Sequence, residues 1–252
     1  MDEKNVLSFL NDTSVEVLLF EKNYIANYNS FIPVSSAGLM HHKFCVFDKS
    51  LVVLGSWNPT DRGTYYNDNY IVMVDSDYLA KYYLQEYALI AAHKDANFRP
   101  TRIDLSGTII NPCMTRRQNC QSLILNEIKH AQKSISVLAF TFTDKQLAQA
   151  LLNASIRGVQ VDVVFEKTRI TGYSAIHLFE NSSVRSYLDG NKYTMHEKLF
   201  VIDDNTSIVG SYNPTKHAQE KNEENVLIVR DIAFAQDALK EFERVRGDAS
   251  SS

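Results

Sequence analysis

The sequence has little with which to hold a metal or staple a fold. Its 252 residues include three cysteines, Cys45, Cys113 and Cys120, with no CxxC pair and no zinc spacing. A zinc framework and a cysteine-rich scaffold are thereby excluded. Cys45 lies in an apolar strand and is expected in the core. Cys113 and Cys120 stay open between a pair in an oxidising compartment and free buried thiols. No charge of one sign dominates: 26 Lys and Arg against 30 Asp and Glu leave a formal charge of −4. The surface as a whole therefore exerts no general pull on nucleic acid or anionic lipid, and only a local basic cleft would do so. No apolar run approaches the length of a membrane span. The start, Met1-Asp2-Glu3-Lys4, has neither the basic residues nor the apolar run of a signal peptide. A soluble protein of unassigned compartment is expected. The remainder, 44% hydrophobic and 22% charged, is ordinary for a globule, and the length suffices for one or two domains.

What the chain does have is a repeat. His196-Glu197-Lys198 runs through an apolar stretch to Asp203 and closes with Gly210-Ser211-Tyr212-Asn213. The same pattern, H-x-K, four residues, D, six residues, G-S-x-N, occurs at His41, Lys43, Asp48, Gly55, Ser56 and Asn58, at a constant offset of 155 residues. Residues two apart on a strand share a face, so each copy presents an imidazole and an ammonium together. A polar turn and a second apolar strand make each copy a hairpin, with Ser and Asn beside the cation at its far end. Such a group suits a phosphate: Lys supplies charge, Ser and Asn supply donors, and His attacks phosphorus or moves a proton. Turn capping explains Asp48 and Asp203 as well as catalysis does. His42, at the x of the first H-x-K, is expected to point away from the site.

A second echo precedes each hairpin. The strand expected over 15–20 and its Glu21-Lys22 correspond to 159–165 and Glu166-Lys167 at an offset of 145. The second copy therefore carries ten extra residues within 168–195, which suit a helix, a short strand or a specificity loop at the cleft. Strands over 71–74, 134–142 and 225–229 alternate with helices over 78–92, 118–132, 144–157 and 234–246, the order of an α/β sandwich with a mixed sheet. Gly158 stands where a helix C-cap glycine belongs. Residues 1–10 read as the end of a helix. The expected division is a first lobe over 1–95, incomplete at its N-terminus, a linker over 96–106, a second lobe over 107–246 and a disordered tail over 247–252. The first lobe has no counterpart of residues 107–147, which would leave an apolar surface for a partner chain or a second copy to cover. Arg116, Arg117, Lys129 and Lys133 read as a solvated face. His93, His130, His177 and His217 lack ligand spacing and read as surface or packing residues.

The two motifs resemble those of the phospholipase D superfamily, the HKD phosphodiesterases. The resemblance implies an α/β fold of two lobes, each a mixed β-sheet flanked by helices, whose hairpins meet at a pseudo-twofold axis. It implies a cofactor-free, metal-free reaction through a phosphohistidine, with His41, Lys43, Asn58, His196, Lys198 and Asn213 as catalytic residues and Ser56, Ser211 and Asn69 on the substrate side. It also places a carboxylate at Glu224, 28 residues after His196, on the inner nitrogen of that histidine; the same step from His41 reaches Asn69. On that basis His196 is the charged acid, and His41, oriented by Asn69, is the nucleophile. The stretch 134–143 is similar to small bacterial HKD nucleases, which makes nucleic acid the expected substrate and phospholipid the alternative.

Overall fold

The computed structural model describes residues 38–99 and 101–251, together with backbone at three short strands further upstream. Those strands, β1 (Leu19–Glu21), β2 (Tyr24–Asn27) and β3 (Ser30–Pro33), form a small antiparallel sheet. The helix expected over 1–10 and the first part of the strand expected over 15–20 lie outside the described residues.

The repeat seen in the motifs extends through whole elements. In the first lobe come β4 (Phe44–Phe47), β5 (Leu51–Gly55), α1 (Asp61–Tyr65), β6 (Ile71–Asp75) and α2 (Asp77–Ala91). In the second, β7 (Ile103–Leu105), β8 (Thr108–Met114), α3 (Cys120–His130), β9 (Ser134–Ala139), α4 (Lys145–Ile156), β10 (Gln160–Phe165), α5 (Ile176–Phe179) and β11 (Arg185–Leu188) lead to β12 (Lys198–Ile202), β13 (Thr206–Gly210), α6 (Lys216–Glu220), β14 (Asn225–Arg230) and α7 (Ile232–Gly247). The 155-residue offset carries β5 onto β13, α1 onto α6 and the start of α2 onto that of α7. Even the caps agree. Thr60 and Thr215 each accept from the backbone N–H three residues on, and Ser76 and Asp231 do the same for α2 and α7.

β4, β5 and β6 form a three-stranded antiparallel sheet, whereas the second lobe, with a last strand β15 at Ser250–Ser251, builds nine strands in the order β15-β11-β10-β9-β12-β13-β14-β8-β7. β15 pairs with β11, so two residues of the tail expected to be disordered form an edge strand, and Gly247 closes the last helix. β7 likewise falls inside the expected linker and joins the sheet. β9, β10 and β11 pair in parallel through crossovers that carry α4 and α5, whereas β12 and β13 pair antiparallel as a hairpin and β12 also pairs antiparallel with β9. α3 and α4 cover one face of the large sheet, where Ile124, Ile128, Leu147, Leu151, Val163 and Phe200 are buried together. The opposite face meets α7 and the first lobe, through Val52, Leu54, Leu79, Leu199, Val209 and Phe242. Cys113 and Cys120 form a disulfide that ties the end of β8 to the start of α3.

The first lobe lacks counterparts of α3 and α4 among the described residues, and its sheet shows the consequence. Phe47, Ile71 and Met73 are 51%, 50% and 71% exposed, whereas their equivalents Ile202, Val226 and Ile228 are 4%, 1% and 1% exposed. Cys45, expected in the core, shares this open face and is exposed. Its strand alternates as expected, but no helix among the described residues covers that face.

Candidate active site

Each H-x-K arm enters its hairpin beside a segment of the other lobe. Met40 bridges Glu223 and Asp68 bridges Met195, both in parallel. The His41 N–H donates to the Glu223 carbonyl at 3.0 Å, and the His196 N–H to the Asp68 carbonyl at 2.9 Å. The residue after each bridge therefore faces the other lobe's histidine. His41 Nδ1 lies 2.7 Å from Glu224 Oε2. His196 Nδ1 lies 3.1 Å from Asn69 Oδ1 and 3.0 Å from the Ser56 carbonyl oxygen. This overturns the expected pairing: Glu224 holds His41, not His196, and Asn69 holds His196, not His41. Sequence spacing locates the two positions but is blind to the exchange across the axis.

The serines expected on the substrate are fully buried beneath these contacts. Ser211 Oγ donates to Glu224 Oε2 at 2.6 Å and accepts from the Asn225 N–H. Ser56 Oγ donates to Asn69 Oδ1 at 3.1 Å and accepts from the Tyr70 N–H. Both orient the group that orients a histidine. Asn69, expected on the substrate side and as the group that orients His41, is used up by the same contacts and by its donation to the Gly63 carbonyl. Asn222 Nδ2 supplies a further donor to Glu224 Oε1 at 2.9 Å. Gly55 and Gly210 have φ of 157° and 141°, and a Cβ on either would come within about 2.2 Å of a strand carbonyl, at Tyr70 or Asn225. That close approach requires glycine.

The lysines are anchored alike. Lys43 Nζ donates to the His41 carbonyl at 3.1 Å, and Lys198 Nζ to the His196 carbonyl at 2.6 Å. Each ammonium keeps two protons for an anion. Burial pushes Lys43 down to about 8 and drives Lys198 well below the ordinary lysine range. Burial, together with Lys198 and Lys43, pushes His196 down to about 2. Burial also lowers His41, but its bond to Glu224 opposes the shift. Asn58 and Asn213 make no side-chain hydrogen bond among the described residues and are free to donate. Asp203 accepts from the backbone N–H groups of Gln132, Lys133 and Ser134, so it ties the hairpin turn to β9. Asp48 sits in the equivalent exposed turn with φ of 49°.

Behind the motifs lies a second pair of related clusters. His42 Nε2 meets Glu86 Oε1 at 3.2 Å, and Glu86 Oε2 accepts from Arg117 Nε at 2.8 Å. Arg117, read as part of a solvated face, is in fact buried by this pairing. His42, Glu86 and Glu223 stand close enough to share a cation, but Arg117 already supplies charge to Glu86. The equivalents of His42 and Glu86 are Glu197 and Glu241, with Arg244 bonding Glu241 and Asp68. Burial and the neighbouring carboxylates hold Glu197 well above the ordinary range.

Two residues near the centre carry no signal in the motif. The Phe140 ring stands edge-on to the His196 ring at 4.5 Å. Lys198 Nζ and the Arg169 guanidinium lie 4.6 and 4.7 Å from its centroid. The ten extra residues were the only pointer to Arg169.

A family model described as cardiolipin synthase, PLD-like domain, matches residues 3–90 and 124–246. The chain belongs to the phospholipase D superfamily. A phospholipase D of Rickettsia conorii is 30% identical over 138 residues, 54% of this chain and 69% of the relative. A mitochondrial cardiolipin hydrolase of Xenopus laevis is 31% identical over 149 residues, 55% of this chain and 71% of the relative. Among solved structures, the phospholipase D family member Nuc from Salmonella typhimurium superposes with a TM-score of 0.55 at 27% identity, over 57% of this chain and 98% of that one. The superfamily makes the chain a phosphodiesterase, a hydrolase with a mixed α/β fold. No helix among the described residues is long and apolar enough to cross a membrane.

Proposed function

We propose that this phosphodiesterase cleaves nucleic-acid phosphodiester bonds without a metal, through a phosphohistidine on His196, with His41 as the acid. The observation that carries the reading is the unequal support of the two imidazoles. Both partners of His196 Nδ1 are oxygens that accept, so that nitrogen bears the proton and Nε2 presents a lone pair. With two lysines beside it and no carboxylate, His196 stays neutral. His41 has Glu224, and an arriving phosphate anion adds to the attraction for a proton there.

The steps follow from these states. His196 Nε2 attacks phosphorus, the bond to the leaving oxygen breaks, and that oxygen takes a proton from His41 Nε2. Neutral His41 then removes a proton from water as the water oxygen attacks phosphorus. The N–P bond breaks, and both histidines return to their first states. Lys43, Lys198, Asn58 and Asn213 supply donors to the non-bridging oxygens, which stabilises charge as it develops.

Nucleic acid is favoured by the exposed cation Arg169 beside the centre. Phospholipid is the second reading, favoured by relatives named phospholipase D and mitochondrial cardiolipin hydrolase. The test is incubation with single- and double-stranded DNA, RNA, and vesicles of phosphatidylcholine or cardiolipin, all with a chelator present. Cleavage of a nucleic acid, abolished by His41→Asn and by His196→Asn, is expected. Hydrolysis of the lipids alone would establish the second reading, and activity that needs added Mg²⁺ or Zn²⁺ would end the metal-free mechanism.

A further inference from the structure

Arg169 stands on a turn fixed to the catalytic strand. The turn Lys167–Arg169 follows β10 and is capped by Glu166, which is fully buried. Glu166 Oε1 accepts from the Thr168 N–H at 2.8 Å, and Oε2 accepts from the Met195 N–H at 2.7 Å. Met195 immediately precedes His196. Lys167 Nζ donates to the Asn191 carbonyl at 2.6 Å, on the same arm. A buried carboxylate thus locks the turn to the histidine arm, and the position of Arg169 relative to His196 is set by the fold.

The guanidinium lies over Phe140, whose ring also faces Lys198 Nζ and His196. Arg169 is exposed and makes no ion pair among the described residues. Exposed Arg185 and Arg244 are paired with carboxylates, whereas Arg62, Arg99, Arg102 and Arg157 share with Arg169 the lack of an ion pair among the described residues. What sets Arg169 apart is its place against Phe140, the ring that also contacts Lys198 and His196. A phosphodiester carries one negative charge, and Lys43 and Lys198 already meet it. Phe140 contacts both Lys198 and Arg169, so the guanidinium stands beside that centre as a further cation. A stacked guanidinium keeps its edge N–H groups for a bidentate contact with an oxyanion. The arrangement calls for a second anionic group, one step from the reacting phosphate.

We propose that Arg169 binds the phosphate next to the scissile one, so that the preferred substrate is a strand with at least two consecutive phosphodiesters. This rests on the nucleic-acid reading above. A polynucleotide supplies such a neighbour at every position along the strand. Arg169 is then a binding residue whose contact lies outside the reacting bonds.

The experiment compares wild type, Arg169→Ala and Arg169→Lys on a single-stranded oligonucleotide and on bis(p-nitrophenyl) phosphate, which has one phosphate. With the oligonucleotide, Arg169→Ala is expected to raise KM about tenfold with a much smaller change in kcat, and to lessen the salt dependence of log(1/KM) by about 0.7 in slope, the share of one single-strand phosphate contact. The loss on the small diester should be several times smaller, and Arg169→Lys should recover part of the oligonucleotide KM. Equal losses on both substrates, or none on the oligonucleotide, would overturn the role of Arg169 while leaving the nuclease reading intact. A wild type that cuts the small diester and leaves the oligonucleotide whole would overturn both. If that same wild type hydrolyses cardiolipin, the subsite belongs to a lipid with two phosphates and the proposal fails as stated.

Discussion

Glu224 and His41 lie 183 residues apart and are joined by a 2.7 Å hydrogen bond, so the carboxylate that follows the second motif serves the histidine of the first. Glu224 is the group that raises His41 against burial and the two lysines. In Glu224→Gln only the lowering influences remain, so protonated His41 is lost at a lower pH. The alkaline limb of kcat/KM should move to lower pH, and the rate at neutral pH should fall by about tenfold or more. Profiles for wild type and variant check this. An unmoved limb would remove His41 as the acid.

A substrate with a good leaving group separates the two histidines. Attack by His196 needs no acid when the departing oxygen is stable, but hydrolysis of the phosphoenzyme still needs a base. His41→Asn should therefore accumulate a covalent phosphoenzyme on rapid quench, and His196→Asn should form none. The reverse pattern would return the roles to those that sequence spacing implied.

Ser211 acts on Glu224 and is sealed from any ligand. Ser211→Ala should lower kcat about tenfold while KM stays within about twofold, the signature of a lost orienting contact. A large rise in KM with kcat unchanged would put the hydroxyl on the substrate.

Lys43→Met and Lys198→Met should each lower kcat about 10²–10³-fold, the usual effect of removing one contact to a developing anion. Circular dichroism should report an unchanged fold for Lys43→Met, whose side chain is only half-buried. Near-normal turnover in either variant would show that its ammonium does not touch the phosphate.

Glu197 binds its proton more tightly in the folded chain than in the unfolded one, because burial and Glu241 raise its pKa. Its contribution to stability is lost as pH rises from the ordinary glutamate value towards the raised one. Glu197→Gln has no such loss. Melting temperatures should show the variant gaining on wild type as pH rises above the ordinary glutamate range. A gap that stays constant as pH rises would mean that Glu197 keeps its charge in the fold.

The hairpins, their offset and the major helices are written in local pattern, and the sequence makes them legible. The lysines and histidines are legible from the motif itself, although the strands begin only at Phe44 and Lys198, so His41, Lys43 and His196 lie on the arms that enter the hairpins and not on alternating strand positions. Relations between segments are not local. Nothing in the step of 28 residues from His196 to Glu224 says that Glu224 turns to His41, because the exchange depends on Met40 lying beside Glu223 and Asp68 beside Met195. Ser56 and Ser211 misled for a similar reason: a hydroxyl in a motif suits a ligand or a partner equally, and only the depth of the hairpin decides. Cys45 has the alternation of a core residue, and its exposure goes with a sheet face that no helix among the described residues covers.

The exchange of partners between lobes also bears on the order of folding. His196 is oriented by groups 127 and 140 residues away in sequence, and His41 by one 183 residues away. Contacts of such separation are slow to form, because the chain between them must first be closed into a loop. Neither hairpin, however early it forms, carries an oriented imidazole by itself. Recovery of activity on refolding therefore marks the docking of the two lobes, and it should trail the recovery of secondary structure.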